Sequence, residues 1–269
     1  MQEFSKGLKT FIKFTLINMY NAIYTLKMKK VALLFFSSLA FLLVSCKKEQ
    51  PKPKVIYEEP AKNVKNTAVK KDSTQIKVAD LPVLMEGTKY LIHPVGDIRI
   101  YEDYNRSYGS SRTNNISYAI SNYNRFEITG YFENLKFQHI DSTAMHLLTD
   151  AKIQIQTATF LSGIAERHKK QILIYTLVDS DTNKDSKIDA NDIRSLYISS
   201  ISGKNFIKLS QDVQELIDWN IIETQGRLYF RTIEDINKNG AFDKNDAVHY
   251  FYVNLLTDVW EAIPYEPVS

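Results

Sequence analysis

The sequence predicts a mainly β protein of antiparallel strands in repeated units, and three observations lead there. Residues 153–157, Ile-Gln-Ile-Gln-Thr, alternate apolar and polar side chains with the two-residue period of a half-buried strand. Residues 172–178, Ile-Leu-Ile-Tyr-Thr-Leu-Val, form a near-continuous β-favourable run. Sliding the chain by 54 residues lays Asp181 on Asp235, Asn183 on Asn237 and Asp192 on Asp246. The same shift lays Ile174-Tyr-Thr on Leu228-Tyr-Phe and Leu196-Tyr-Ile on Tyr250-Phe-Tyr. Each unit reads strand, acidic loop, strand, turn, strand, a repetition that points to stacked or radially arranged sheets.

Taken in order, residues 1–45 read as a signal region. Met28-Lys-Lys is a basic start, and 1–27 precede it, so Met28 is a candidate true start. The apolar run 31–44, broken only by Ser37 and Ser38, is about 14 residues long. That is short of the ~20 needed to span a bilayer and right for a secretory h-region. The run ends in Leu43-Val-Ser-Cys46, which resembles the lipobox of bacterial lipoproteins. The resemblance implies that Cys46 is the acylated first residue of the mature chain, anchored to a membrane of the cell envelope. Cys46 is the sole cysteine, so no disulfide competes for it.

Residues 46–80 open Cys-Lys-Lys-Glu-Gln-Pro-Lys-Pro-Lys and hold three prolines by Pro60, the composition of a flexible tether. The net charge of +3 comes partly from the signal and tether and does not point to nucleic acid. Residues 81–269 are one domain's worth of chain.

Within that domain, Tyr90-Leu-Ile and Asp97-Ile-Arg-Ile read as strands. Residues 101–124 interleave Tyr101, Tyr104, Tyr108, Tyr118 and Tyr123 with Ser, Asn and Arg, and read as loop or edge structure. They either cover the core rim or form an aromatic platform for a glycan or peptide. Phe126, Ile128, Leu135, Phe137 and Ile140 sit in short strands broken by Gly130 and Asp141. Residues 160–167 hold one short helix or a loop. Strands follow at 196–201, 216–222, 228–233 and 248–255, with a turn at Gly203. Trp219 and Trp260 read as core.

Residues 196–210, Leu-Tyr-Ile-Ser-Ser-Ile-Ser-Gly-Lys-Asn-Phe-Ile-Lys-Leu-Ser, resemble the repeat of TolB-type β-propellers. There a strand with an aromatic, a Gly-Lys turn and a Leu-Ser ending belong to each blade. Residues 145–150 resemble the ending of an earlier, loopless unit. The resemblance implies antiparallel repeat sheets, β-propeller-like or a partial propeller, with calcium loops between strands. About 190 residues supply three or four such sheets, fewer than most closed propellers use. A sandwich-like stack is the other arrangement.

The acidic loops, 181–192 and 235–246, place side-chain oxygens at positions 1, 3, 5, 9 and 12 and an apolar residue at position 8. That is the ligand spacing of EF-hand calcium loops. The first set is Asp181, Asn183, Asp185 and Asp192, with the Lys187 carbonyl and with Asp189 bound directly or through water. The second is Asp235, Asn237, Asn239 and Asp246, with the Ala241 carbonyl and Asp243. Position 12 is Asp in both, as in dockerins. Position 6 favours positive φ, easy for Gly240 and strained for Ser186. Asp and Asn also build Asx-turns, but two matches at equivalent points of a repeat favour two calcium ions. Strand-like flanks exclude a helix-opening sensor, so the ions are expected to pin long charged connections.

Catalytic signatures are few. The five histidines show no His-Glu-x-x-His spacing, and no nucleophile elbow or phosphate loop occurs. The expectation is a lipid-anchored envelope protein whose calcium-stabilised β-domain is a binding or scaffold module for an envelope protein or glycan. A glycan-acting hydrolase, which predicts an acidic cleft away from the loops, and a dockerin-like assembly module are the alternatives.

Overall fold

The computed structural model describes residues 53–57, 76–101 and 115–268. The signal region, Cys46, most of the tether and the tyrosine-rich residues 102–114 lie outside the described residues. No described helix is long and apolar enough to cross a membrane.

The described chain is mainly β, with one α-helix. The first sheet contains β1 (Lys77–Ala79), β2 (Val83–Leu84), β3 (Tyr90–Asp97), β8 (Asn134–His139) and β9 (Met145–Leu147). Its path is β1-β3-β8-β9, with β2 also on β3. Between β3 and β8 the chain makes β4 (Arg99–Tyr101), β5 (Asn115–Ser117), β6 (Ser121–Tyr123) and β7 (Glu127–Phe132). The β4–β5 pair stands alone. The second sheet takes β6 and β7 at one side, then β10 (Gln154–Phe160), β11 (Ile172–Val178), β12 (Arg194–Ser200) and β13 (Ile207–Lys208). The third is β14 (Gln214–Ile222), β15 (Arg227–Glu234), β16 (Ala247–Asn254) and β17 (Ile263–Pro264). All these pairings are antiparallel. The helix, α1 (Ser162–His168), joins β10 to β11 and ends at Lys169 in the left-handed region.

The second sheet lies in the middle, and its central strand explains its own sequence. Successive side chains of a strand point to opposite faces. Leu173, Tyr175 and Leu177 enter one core with Ile92, Phe137 and Phe132. Ile172 and Ile174 enter the other with Leu196, Leu228 and Phe251. A strand buried on both faces has no polar side to alternate with, hence the near-continuous apolar run. In β10 the ladder shifts register between Ile155 and Thr157, on both neighbours. Ile155, Ala158 and Phe160 therefore share one core although their spacing is not strictly even.

The strand order strand–loop–strand–turn–strand recurs as β11–β12–β13 and β15–β16–β17, each preceded by a paired strand, β10 or β14. Gly203 (φ 76°) makes the first turn, where a Cβ would meet the Phe137 ring at 2.5 Å. The repeat is offset in register. Tyr175 pairs with Tyr197, yet 54 residues on, Tyr229 pairs with Tyr252 and Phe251 with Phe230. The cause lies at the loops: Glu234 and Ala247 pair directly beside the second. The first ladder ends at Val178 and Arg194, leaving Asp179, Ser180 and Ile193 outside it.

Residues 121–123 supply an edge, since β6 ends the six-stranded sheet, with Tyr118 and Tyr123 exposed. β1, which lies inside the stretch read as tether, pairs with β3.

Candidate metal centre

Each acidic loop links adjacent strands of its own sheet. The two share the hydrogen bonds at positions 1, 3, 5 and 9 and the bond from the position 9 N–H to position 12, while the other bonds at position 12 differ. In the first, Asp181 accepts the backbone N–H of Asp185 at 3.1 Å and of Ser186 at 2.8 Å. Asn183 Oδ1 accepts Asp185 N at 3.0 Å, and Asp185 Oδ1 accepts Lys187 N at 2.9 Å. Asp189 Oδ1 takes Asn191 N at 2.8 Å. Asp192 closes the loop, accepting Thr182 N (2.8 Å), Asn183 N (3.1 Å) and Asp189 N (3.0 Å).

The second loop repeats this at positions 1, 3, 5 and 9. Asp235 accepts Asn239 N at 3.2 Å and Gly240 N at 2.7 Å. Asn237 Oδ1 accepts Asn239 N at 3.0 Å, and Asn239 Oδ1 accepts Ala241 N at 2.8 Å. Asp243 Oδ1 takes Asn245 N at 2.8 Å, and Asp246 takes Asp243 N at 2.8 Å and Asn237 Nδ2 at 3.3 Å. Positive φ falls at positions 4 and 6 of both loops: Lys184 58° and Ser186 71°, Lys238 56° and Gly240 81°.

Asp192 and Asp235 are buried, at 1% and 3% exposure. A carboxylate accepts up to about four bonds. Asp192 reaches that number with the Thr182 N–H and hydroxyl and the Asn183 and Asp189 N–H groups, whereas Asp235 accepts two and keeps lone pairs that suit a hard cation. The donor set of carboxylates, amide oxygens and backbone carbonyls is all oxygen. Among the described residues no three His, Cys, Asp or Glu side chains are gathered as a ready-made cage. The four carboxylates of the first loop (Asp181, Asp185, Asp189, Asp192) and the three of the second (Asp235, Asp243, Asp246) are spread along their loops instead of converging.

Beside the first loop lies a cleft of about 560 Å³, lined by Asp179, Ser180, Thr182, Ile193, Tyr197 and Lys208 among others. Tyr197 donates to Asp179 Oδ2 at 2.8 Å. Lys208 Nζ lies 2.7 Å from both Asp179 Oδ2 and Asp212 Oδ1. Burial would raise the Asp179 carboxyl, but Lys208 and Tyr197 together hold it below the usual carboxylate range. Burial and the charge of Asp179 push the Tyr197 hydroxyl up. This cleft abuts a loop, and its ion-paired Asp179 is poorly suited to donate a proton.

The outer face of the third sheet carries the aromatic surface. Arg227, Tyr229 and Arg231 alternate with buried Leu228, Phe230 and Thr232. Tyr229 and Tyr252 are cross-strand partners with ring centres 5.9 Å apart, and Tyr265 stands edge-on to both. Arg227 lies 4.8 Å from the Tyr252 ring centre, and Arg231 grips Asp218 with Nε–Oδ1 at 2.8 Å. Asp218, Arg231, Tyr229, Tyr250 and Tyr265 border a depression of about 280 Å³. The sequence offers residues 101–124 as rim cover or aromatic platform; the signal for this second aromatic surface is the alternation in 227–232 and 249–253. Trp219 and Trp260 pack against the second core, as read from sequence.

Fold and site together define a class: face-packed antiparallel sheets with EF-hand-like acidic loops set between strands. No family model, no curated protein and no solved structure matches the chain.

Proposed function

We propose that the chain is a lipid-anchored protein of the bacterial cell envelope whose β-domain, stabilised by two calcium ions, is a binding or scaffold module. The observation that carries this reading is the pair of loops that share the hydrogen bonds at positions 1, 3, 5 and 9 and the same positive-φ positions at equivalent points of two meanders. Asp181, Asn183, Asp185, Asp192, the Lys187 carbonyl and Asp189 hold the first ion. Asp235, Asn237, Asn239, Asp246, the Ala241 carbonyl and Asp243 hold the second. Each ion neutralises carboxylates that otherwise repel one another and fixes a long connection. Cys46, following the short apolar run 31–44, is the anchor.

The meanders are read as blades of an incomplete propeller, a reading supported by the consecutive order of β10-β11-β12-β13 and β14-β15-β16-β17, from which the first sheet departs because its β3 pairs with β8. The partner is an envelope glycan or protein, and the tyrosine face of the third sheet is its contact surface. The hydrolase reading is weakened by the paired state of Asp179. The dockerin-like reading is weakened by the strands that flank both loops.

Thermal unfolding of the mature chain tests the calcium reading. At about 100 times its dissociation constant, each ion adds ~2.7 kcal/mol, so the melting temperature rises with calcium and falls with chelator. Asp181→Ala with Asp235→Ala abolishes the response, whereas a wild-type chain indifferent to calcium overturns the reading. The calcium increment is the quantity to compare, because Asp235→Ala also removes acceptors of the Asn239 and Gly240 amides.

A further inference from the structure

Residues 53–57 run between the two acidic loops and touch both. Lys54 N and Val55 N donate to the Gly240 carbonyl, at 2.7 and 3.4 Å. Ile56 N donates to the Thr182 carbonyl at 2.9 Å, and Thr182 Oγ1 donates back to the Lys54 carbonyl at 2.7 Å. One short segment is thus bonded to position 2 of the first loop and position 6 of the second. Side chains add to this grip. Val55 is 5% exposed, Lys54 Nζ pairs with Glu215 at 3.0 Å, and the Tyr57 hydroxyl reaches the Asp235 carbonyl at 3.4 Å.

The same loop residues that hold this segment also hold the ligating carboxylates. Thr182 donates from N to Asp192 Oδ1 at 2.8 Å and from Oγ1 at 3.2 Å. Gly240 donates from N to Asp235 Oδ2 at 2.7 Å while its carbonyl receives Lys54. A Cβ on Gly240 would lie 2.6 Å from both the Pro53 side chain and the Val55 carbonyl, so the segment is packed tight against the loop. Movement of either carboxylate therefore moves the peptide group that bonds the segment.

We propose that residues 53–57 form a strap coupling the two loops: ions in both loops close the grip, and loss of the ions releases it. The proposal rests on the calcium reading above and adds its regulation. Without cations, four carboxylates in one loop and three in the other repel and loosen Thr182 and Gly240. Coupling through a shared segment is reciprocal: each ion strengthens the strap, and the strap strengthens the site of the other ion.

The test compares the mature chain with Val55→Asp/Tyr57→Ala, a variant that leaves every loop ligand intact, and with the milder Val55→Ala. Calcium titration by calorimetry is expected to show two ions bound cooperatively by the wild type. The double variant still binds two, about tenfold more weakly and independently, a loss equivalent to roughly one hydrogen bond per site. Val55→Ala shifts the same way by less. Calcium slows tryptic cleavage after Lys54 in the wild type, less so in Val55→Ala, and not in the double variant. Two ions bound with equal affinity and cooperativity by all three proteins overturn the strap and leave the calcium reading standing. No binding by the wild type overturns both.

Discussion

Ser186 and Gly240 occupy the same point of two loops, 54 residues apart, with φ of 71° and 81°. Only Gly240 adopts this left-handed conformation freely. A side chain there costs about 1–2 kcal/mol, and a new glycine costs about 0.5–1 kcal/mol through the unfolded chain's entropy. Ser186→Gly is therefore expected to raise unfolding free energy by about 0.5 kcal/mol in a urea titration. Gly240→Ala is expected to lower it by about 2 kcal/mol, since the methyl also strikes Pro53 and the Val55 carbonyl. Equal effects of opposite sign would mean that the strap contributes nothing at that position.

Asp179 anchors the cleft beside the first loop through Lys208 and Tyr197, and its stability contribution has a defined pH window. Its folded pKa lies below the unfolded value near 3.9, so the contribution is present above that value and lost as pH falls through the folded pKa. Burial would lower the Lys208 pKa, but its bonds to Asp179 and Asp212 raise it. Its contribution is full below the unfolded value near 10.4 and is lost as pH rises through the folded one. Asp179→Asn is expected to destabilise the domain by a constant amount between about pH 5 and 9, with the gap from wild type narrowing below about pH 4. Urea midpoints of the two proteins at pH 3, 5 and 7 check this; a gap that widens on acidification contradicts it.

Local pattern made the paired strands and the loops readable. The run at 172–178 and the alternation in 153–157 state their burial directly, and the two loops state theirs by spacing. Other features depend on distant partners. Tyr90 pairs with His139 across a stretch that contributes β6 and β7 to a different sheet, and no local signal marks such an exchange. The one-residue register offset between the repeats is set by where each ladder stops beside its loop. Val55, Ile56 and Tyr57 are an apolar triplet, but lysines and prolines around them give the whole stretch a tether's composition. Their role emerges only when both loops are folded next to each other.

The tyrosine face of the third sheet is the surface that the proposed binding function assigns to a glycan. Tyr229 and Tyr252 present broad, stiff ring surfaces for the C–H faces of sugar rings, with few rotamers to freeze on binding. The planar Arg231–Asp218 pair at the border offers donors and acceptors to hydroxyl groups, while Arg227 already covers part of Tyr252. The fold does not depend on these rings, because Leu228, Phe230, Phe251 and Val253 hold the core from the opposite face. Both rings are half-buried against Tyr265, so Tyr229→Ala with Tyr252→Ala should lower the unfolding free energy by roughly 1–3 kcal/mol and leave the domain folded. The same variant should lose co-sedimentation with insoluble peptidoglycan, or retention on polysaccharide-coated beads, by about tenfold or more, since each lost aromatic contact is worth about 1 kcal/mol. Retention of wild-type binding by the double variant would move the contact surface elsewhere, and a wild-type chain bound by neither material would leave an envelope protein as the partner.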